Sequence, residues 1–562
     1  MSRDRDMSQD GEMGQDSEMG QDGEMGQDGD VSQDAQMDRD PELLEPRASD
    51  AELEARQEAL LRARMGELDE ATGRGRGELE RPSRTLQARM PAEVQATRSA
   101  RSVGARLLTG AIGLATIAGL GWWAGTGYLP TLAAPAPSVA IEPVPGTQER
   151  VCPGPLAAIG QAGATTTPSL IGATSLQGGG DTGQAQAIGI HAMPSTATGP
   201  LPGPALYTAP GMAGSAPSLL SAAESVTTTG TAAGFSAAAC QTPSAEQWIV
   251  ADGGSGATGS VLSIANPTER TATVRLELYT ETGRVIPAGQ GELEIPARTQ
   301  HAVSLAGLAP GAGRLVVRVA ASSGLVAATV HESVVEGTSG RGAEIVGATE
   351  APSSRLVIPG VPVGAVGTSS DTDTSTGVAL VRLLSTSAEP ATATIRVLGA
   401  DGAEVHRQTA TIQPGVVTDV SLGGIQTPVG TIEVTSDSPL LASARAGAFG
   451  ANGARDFAWY RAAPQLTGPQ IAAVPAGPSP RLDVANPGAD AIDLTITREG
   501  GIVQASTIAP GQTLRLDATE GVYRLEATGP YVAAVSYAGP GQLASFAVTS
   551  AAPLAEPITV VR

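Results

Sequence analysis

Two of the three asparagines in this 562-residue chain stand in the same local sequence, 220 residues apart, and that coincidence constrains the fold more than any other feature. Val261-Leu-Ser-Ile-Ala-Asn266-Pro267 and Arg481-Leu-Asp-Val-Ala-Asn486-Pro487 each read as a short apolar strand closed by an Asn-Pro turn. Beyond each turn apolar residues alternate with polar ones, at Val274, Leu276 and Leu278 and at Ile492, Leu494 and Ile496. Period two predicts strands with one face buried. A middle copy fits between them, where Val378 to Pro390 is followed by Ile395, Val397 and Gly399-Ala-Asp-Gly402.

All three copies then continue alike. Each has a glycine turn (Gly283, Gly402, Gly500), a strand ending at Ile295-Pro296, Ile412 to Gly415 or Ile508 to Gly511, and a last alternating pair. The pairs are Leu315 to Val319 with Leu325 to Val330, Ile432 to Val434 with Leu440 to Ala444, and Tyr523 to Leu525 with Val532 to Val535. A period of about 110 residues with about seven short strands per copy predicts a mainly β protein of tandem antiparallel β-sandwiches of immunoglobulin-like size. The expected modules are residues 246–350, 351–465 and 466–562. A propeller blade would repeat at about 45 residues. One polar face per strand also suits antiparallel sheets better than the continuous apolar strands of a parallel α/β domain.

Upstream, the uncharged run Leu107 to Leu129 is preceded by Arg98, Arg101 and Arg106, and no charge follows until Glu142. As a helix it would span about 35 Å, enough for one tilted crossing of a hydrocarbon core of about 30 Å. Trp122, Trp123 and Tyr128 gather at its far end, where amphipathic rings favour headgroups. Between Arg74 and Arg106 the arginines far outnumber the acids Glu78, Glu80 and Glu93, which by the positive-inside rule keeps this flank, with topogenic Arg98, Arg101 and Arg106, in the cytoplasm. Residues from Pro130 onward are then extracytoplasmic. A signal peptide starting at Met90 and cut after Ala134-Pro135-Ala136 is the competing reading, and Pro137 opposes that cut.

The cytoplasmic part opens with a hexapeptide repeat, Met7-Ser-Gln-Asp-Gly-Glu, renewed at Met13, Met19 and Met25. It carries too little apolar surface to offset its chain entropy, so residues 1–48 are expected to be a disordered acidic tail. Ser49 with Glu52 forms a capping-box pair ahead of Leu53, Leu60, Leu61, Met65 and Leu68, and Gly73 ends the pattern, which predicts a short helix over 49–73. A cytoplasmic or membrane partner would stabilise it. Residues 74–106 form the basic juxtamembrane segment.

On the other side, residues 130–245 are rich in Ala, Gly, Ser, Thr and Pro and read as a stalk or irregular linker. The linker holds the chain's two cysteines, Cys152 and Cys240, for which a single disulfide is the economical reading outside the cell.

Chemistry is harder to find. His191, His301, His331 and His406 each stand alone among strand or loop residues and read as surface or half-buried strand histidines. Motif search yields no zinc, P-loop or serine-hydrolase signature. Asp371 to Gly377 is similar to a calcium loop, but its glycine is one place late and Arg382 stands where the closing glutamate belongs. A net charge of −22 with scattered arginines argues against a nucleic-acid partner. No catalytic residue, cofactor or metal ligand is predicted.

The order of basic flank, single anchor, Cys152-Pro-Gly-Pro, second cysteine, Trp248 and Asn-Pro strand copies resembles an uncharacterised actinobacterial family of membrane-anchored extracytoplasmic proteins. The likeness runs from Leu107 to Arg562, and it implies an architecture and a location without chemistry. The expected function is that of a non-enzymatic cell-envelope protein, single-pass with its amino terminus inside, binding an envelope protein or glycan through its outer modules. The alternatives are an accessory subunit of a membrane enzyme of envelope glycan assembly, and a glycan-binding module or enzyme with a dispersed site.

Overall fold

The computed structural model describes residues 138–141, 147–159, 167–180, 189–198, 201–209, 219–287, 292–364, 379–498, 501–551 and 558–561. The hexapeptide tail, the helix expected at 49–73, the basic segment with Arg98, Arg101 and Arg106, the apolar run 107–129 and the loop 371–377 lie outside these residues. The described residues are mainly β, with one four-residue α-helix, Leu305–Leu308, and two short 3-10 turns.

The first copy has eight strand positions. They are one, Glu246–Asp252; two, Thr258–Asn266; three, Ala272–Thr280; four, split into Gly283–Val285 and Leu293–Ile295; five, Thr299–Ser304; six, Arg314–Ser323; seven, Ala327–Glu336; and eight, Ser339–Val346. One antiparallel sheet runs one-six-three-four and the other five-two-seven-eight. Alternation explains the burial of strand three, where Val274, Leu276 and Leu278 are buried while Arg275 faces out. Both sheets feed one core, with Ile249, Leu276 and Val317 from the first and Leu262, Ile264 and Val330 from the second.

The third copy repeats this order strand for strand. Gln470–Val474, Gly521–Ala527, Ile492–Arg498 and Gly501–Ile508 form its one-six-three-four sheet, and Thr513–Asp517, Arg481–Ala485, Val532–Gly539 and Gln542–Ala547 its five-two-seven-eight sheet. The middle copy departs once. Its strands six and seven, expected as a separate pair, are one 23-residue strand, Thr427–Phe449. Its first half pairs with Ser353–Val363 (one) and Ala391–Gly399 (three), and its second half with Leu380–Ser385 (two) and Arg455–Arg461 (eight). Strand one pairs on both sides of the corner, Arg355 with Thr435 and Ser353 with Leu440, and the register shifts between these two pairs where a turn was expected.

Within the segment expected as a linker, residues 130–245, the described residues instead form two small sheets. Gln148–Cys152, Ala205–Ala209 and Gly189–Ala192 form a sheet in the order one-six-three, and Ala173–Gly180, Leu220–Thr228 and Gly234–Ala239 a sheet in the order two-seven-eight. Among the described residues this is the same strand order without positions four and five, and with a hairpin, Leu156–Ile159 with Pro168–Ile171, inserted after strand one. Alanine and glycine dilute its alternation, which hid it as a sequence pattern. Large apolar anchors still bury fully, among them Leu156, Leu206, Leu220 and Phe235.

These four copies close on themselves. The eighth strand of the reduced copy packs on that of the first, the first on the middle, the middle on the third, and the third on the reduced copy again. Cores run through the seams, since Phe235 and Ala237 of the reduced copy belong to the core of the third. Ser138–Ile141 also pairs antiparallel with Ile558–Val561 near the end of the chain.

Candidate functional site

The eighth strands occupy the centre of this arrangement. Arg455–Arg461 is buried at every residue because one face covers its own copy and the other faces the neighbouring eighth strands. At the starting ends of these strands sits Asp456. Its Oδ1 accepts N–H bonds from Ala343 (3.1 Å) and Phe457 (3.0 Å), and its Oδ2 from Phe235 (2.9 Å) and Leu543 (3.3 Å). One carboxylate thus bonds backbone donors from all four copies. Burial pushes this carboxyl well above its ordinary range, and the four N–H donors oppose that shift.

Polar side chains also join neighbouring copies along the seams. Between the first and middle copies, Arg382 donates to both oxygens of Asp419 (2.7 and 2.9 Å), to Asp252 Oδ1 (2.8 Å) and to the Ala251 carbonyl, and lies 4.8 Å from the Trp459 ring. Arg445 approaches Asp252 from the other side at 3.3 Å. Burial, reinforced by Asp252, pushes the nearby Glu332 carboxyl up to about 8. Between the middle and third copies, Arg515 clasps Asp483 (2.6 and 3.1 Å) and donates to the Gly360 carbonyl, while Ser536 adds a 2.7 Å bond to Asp483. A cavity of about 550 Å³ opens beside this seam, and its arginines Arg481 and Arg515 face Asp517 and Asp483 respectively.

The far ends of the eighth strands converge on a second cavity, of about 300 Å³. Gln241 follows the eighth strand of the reduced copy, Thr349 and Glu350 follow that of the first, Arg461 ends that of the middle copy and Thr549 follows that of the third. Trp248, from strand one of the first copy, completes the wall. Every copy therefore contributes to this axial cavity. Arg461 is 6% exposed, and among the described residues its one hydrogen bond runs from Nη1 to the Ala348 carbonyl, with no carboxylate within ion-pair distance. Burial lowers its guanidinium to about 10, so it stays charged at neutral pH. Burial raises Glu350, an effect Arg461 offsets in part. Thr349 Oγ1 is buried without a partner.

The residues singled out in the sequence are placed as follows. The sulfurs of Cys152 and Cys240 are bonded to each other, joining strand one of the reduced copy to the residue after its strand eight. Asn266 and Asn486 are both fully buried and make the same bonds. Each Oδ1 accepts the N–H two residues on (Thr268, 3.0 Å; Gly488, 2.9 Å), and each Nδ2 donates to the carbonyl four residues on (Arg270; Asp490) and to the end of strand four (Ile295; Ile508). Pro267 and Pro487 follow directly, and the middle copy has Ser385 in this place. His331 is a correction to the surface or half-buried reading. It is fully buried, its Nδ1 accepts from the Ala157 N–H (3.0 Å) and its Nε2 therefore donates to Thr329 Oγ1. Burial lowers it to about 3, which leaves it neutral. Of these residues Cys240 alone lines the axial cavity, where it is held in the disulfide. Arg461, Thr349 and Asp456 carried no pattern a sequence could offer, and the one visible signal was a pair of arginines bracketing the aromatic strand Arg455–Arg461.

Among the described residues no group of three or more His, Cys, Asp or Glu side chains is arranged to hold a metal ion, and no helix is long and apolar enough to cross a membrane. A model of a family of unknown function, DUF5719, matches residues 196–519. The chain belongs to this family. The DUF5719 match begins inside the reduced copy and ends inside the third, so it spans parts of all four copies rather than the three visible as sequence repeats. None of the curated proteins matches the chain.

Proposed function

We propose that this chain is a non-enzymatic, membrane-anchored cell-envelope protein that binds or scaffolds other envelope components through its extracytoplasmic β copies, each a β-sandwich of immunoglobulin-like size. The observation that carries this reading is the use made of the charged groups. Arg382, Asp419, Asp252, Arg445, Asp483, Arg515 and Asp456 all hold one copy to another, which builds a rigid platform and leaves its surface and cavities for binding. The Cys152–Cys240 bond supports an oxidising compartment, and the run Leu107 to Leu129 behind its arginines supplies the anchor.

Crosslinking of the intact envelope, followed by mass spectrometry of what is captured with the full-length chain and with a form lacking the residues before Arg74, tests the proposal. The same envelope proteins captured by both forms would support it. Loss of one membrane enzyme on truncation would replace it with the accessory-subunit reading, and capture of nothing by either form would refute both.

A further inference from the structure

The buried arginines Arg382 and Arg445 and the half-buried Arg515 have acidic partners. Arg382 and Arg515 grip carboxylates, and Arg445 shares Asp252. Arg150, which lacks one, donates to two backbone carbonyls, Glu149 and Ser550, and lines a void of only about 10 Å³. Arg461 differs from all of these. It has one carbonyl, no carboxylate among the described residues, and a cavity of about 300 Å³ in front of it. Glu344 and Glu350 act on it only from beyond ion-pair distance, and a buried cation with no carboxylate in contact is costly, so a ligand that brings an anion into contact recovers part of that cost.

The wall is shaped for such a group. Gly347 backs the guanidinium so closely that a Cβ there would stand 2.7 Å from Arg461 Nη1 and 2.8 Å from Gln241 Nε2. Thr349 Oγ1, unpartnered in the same wall, is free to donate a second bond. One cation and one hydroxyl match the two oxygens of a single carboxylate, whereas a phosphate dianion would leave a net negative charge beside Glu350. Glu350 in turn suits a hydrogen-bond donor next to that carboxylate.

We infer that the axial cavity is a binding site for the carboxylate of an α-amino or α-amido acid, held by Arg461 and Thr349 with Glu350 facing the ligand's N–H. Such a group is presented by a free amino acid or by the C-terminal residue of a peptide. This goes beyond the envelope reading and does not depend on it, because a chain that captured no envelope partner would retain the cavity.

The test is calorimetric titration of the purified full-length chain with glycine, with acetyl-trialanine and with the C-terminal amide of that peptide. Saturable binding of one or both acids and none of the amide is expected. Binding of glycine alone would identify free amino acids as the source, and binding of the acetylated acid would identify peptide ends. Arg461→Met, which replaces the lone charge with an apolar chain of similar length, should weaken acid binding by about ten-fold or more. Gly347→Ala, which leaves the guanidinium in place but crowds it, should weaken it by a smaller factor. Equal binding of acid and amide, no binding of either acid, or unchanged affinity in a folded Arg461→Met chain would overturn the assignment. Capture of envelope partners is read separately, so failure here leaves the proposed function standing.

Discussion

The seam between the first and middle copies and the seam between the middle and third use the same two positions with opposite charges. Three residues before the Asn slot of strand two stands Arg382 in the middle copy and Asp483 in the third, and directly across on strand five stand Asp419 and Arg515. In both seams the arginine donates to a strand-one carbonyl of the preceding copy, Ala251 in one case and Gly360 in the other. The seam therefore requires a complementary pair with its guanidinium turned to that carbonyl, and the strand that supplies the arginine is interchangeable. The seams differ in the further groups they recruit, the first having Arg314 on Asp419 and Arg445 on Asp252 as well. The first adds Asp252 from the neighbouring copy, and the second adds Ser536 from its own. Reversed charges also disfavour docking of the third copy where the middle one belongs, since like charges would then meet.

Removing the arginine breaks this comparison most severely. Arg382→Met takes the shared guanidinium from two carboxylates, leaving Asp252 only Arg445 and Asp419 only the exposed Arg314, and should cost about 3–5 kcal/mol, while Arg515→Met, which affects one carboxylate and leaves Asp483 its Ser536 bond, should cost less. Denaturant unfolding of the two full-length variants measures the difference, and equal losses would mean that Asp252 contributes nothing.

Exchanging the charges sharpens it. Asp483→Arg with Arg515→Asp should recover most of the loss of either single change, with a coupling of about 1–3 kcal/mol in a double-mutant cycle. Arg382→Asp with Asp419→Arg should recover little, because the new carboxylate would face Asp252. Recovery in both seams would show that the neighbouring carboxylate is indifferent.

A smaller effect is expected where the copies differ by one turn residue. Asn486→Ser and Asn266→Ser, which install the residue the middle copy uses, should each cost about 1–3 kcal/mol through stranded carbonyls of strand four. A probe that needs no substitution is pH at the seam between the reduced and first copies, where His331 takes the place of an ion pair. Its folded value near 3 lies below its ordinary 6.5, so as pH falls the unfolded chain binds the proton first. Stability from this group is full above about pH 6.5 and should fall by about 1 kcal/mol per pH unit towards pH 3, in addition to any carboxylate effects. His331→Gln should remove that share of the slope in thermal melts taken between pH 7 and 4.

Much of the sheet framework was legible because period two needs only local information. The strands around Val274, Ile395 and Ile492 bury the residues their alternation selects, and Asn266 and Asn486 occupy matching turns. The eighth strands were missed for the opposite reason. Arg455–Arg461 is buried on both faces, so it shows no alternation, and its charges read as surface until Asp456 is seen to collect N–H groups from four copies. The reduced copy escaped notice because strands such as Ala173–Gly180 contain almost nothing apolar to alternate.

By itself the sequence determined the β class, the inward-facing residues of strands such as that around Val274, and the equivalence of Asn266 and Asn486 as turns, because each of these depends on residues close together in the chain. Only the tertiary structure decided that a fourth, reduced copy closes the ring, that opposite charges meet at matching seams, and that Arg461 faces an axial cavity with no described carboxylate in ion-pair contact. Those facts depend on which distant groups share a buried space, and burial is what turns an ordinary arginine or aspartate into a group that must find a counterpart.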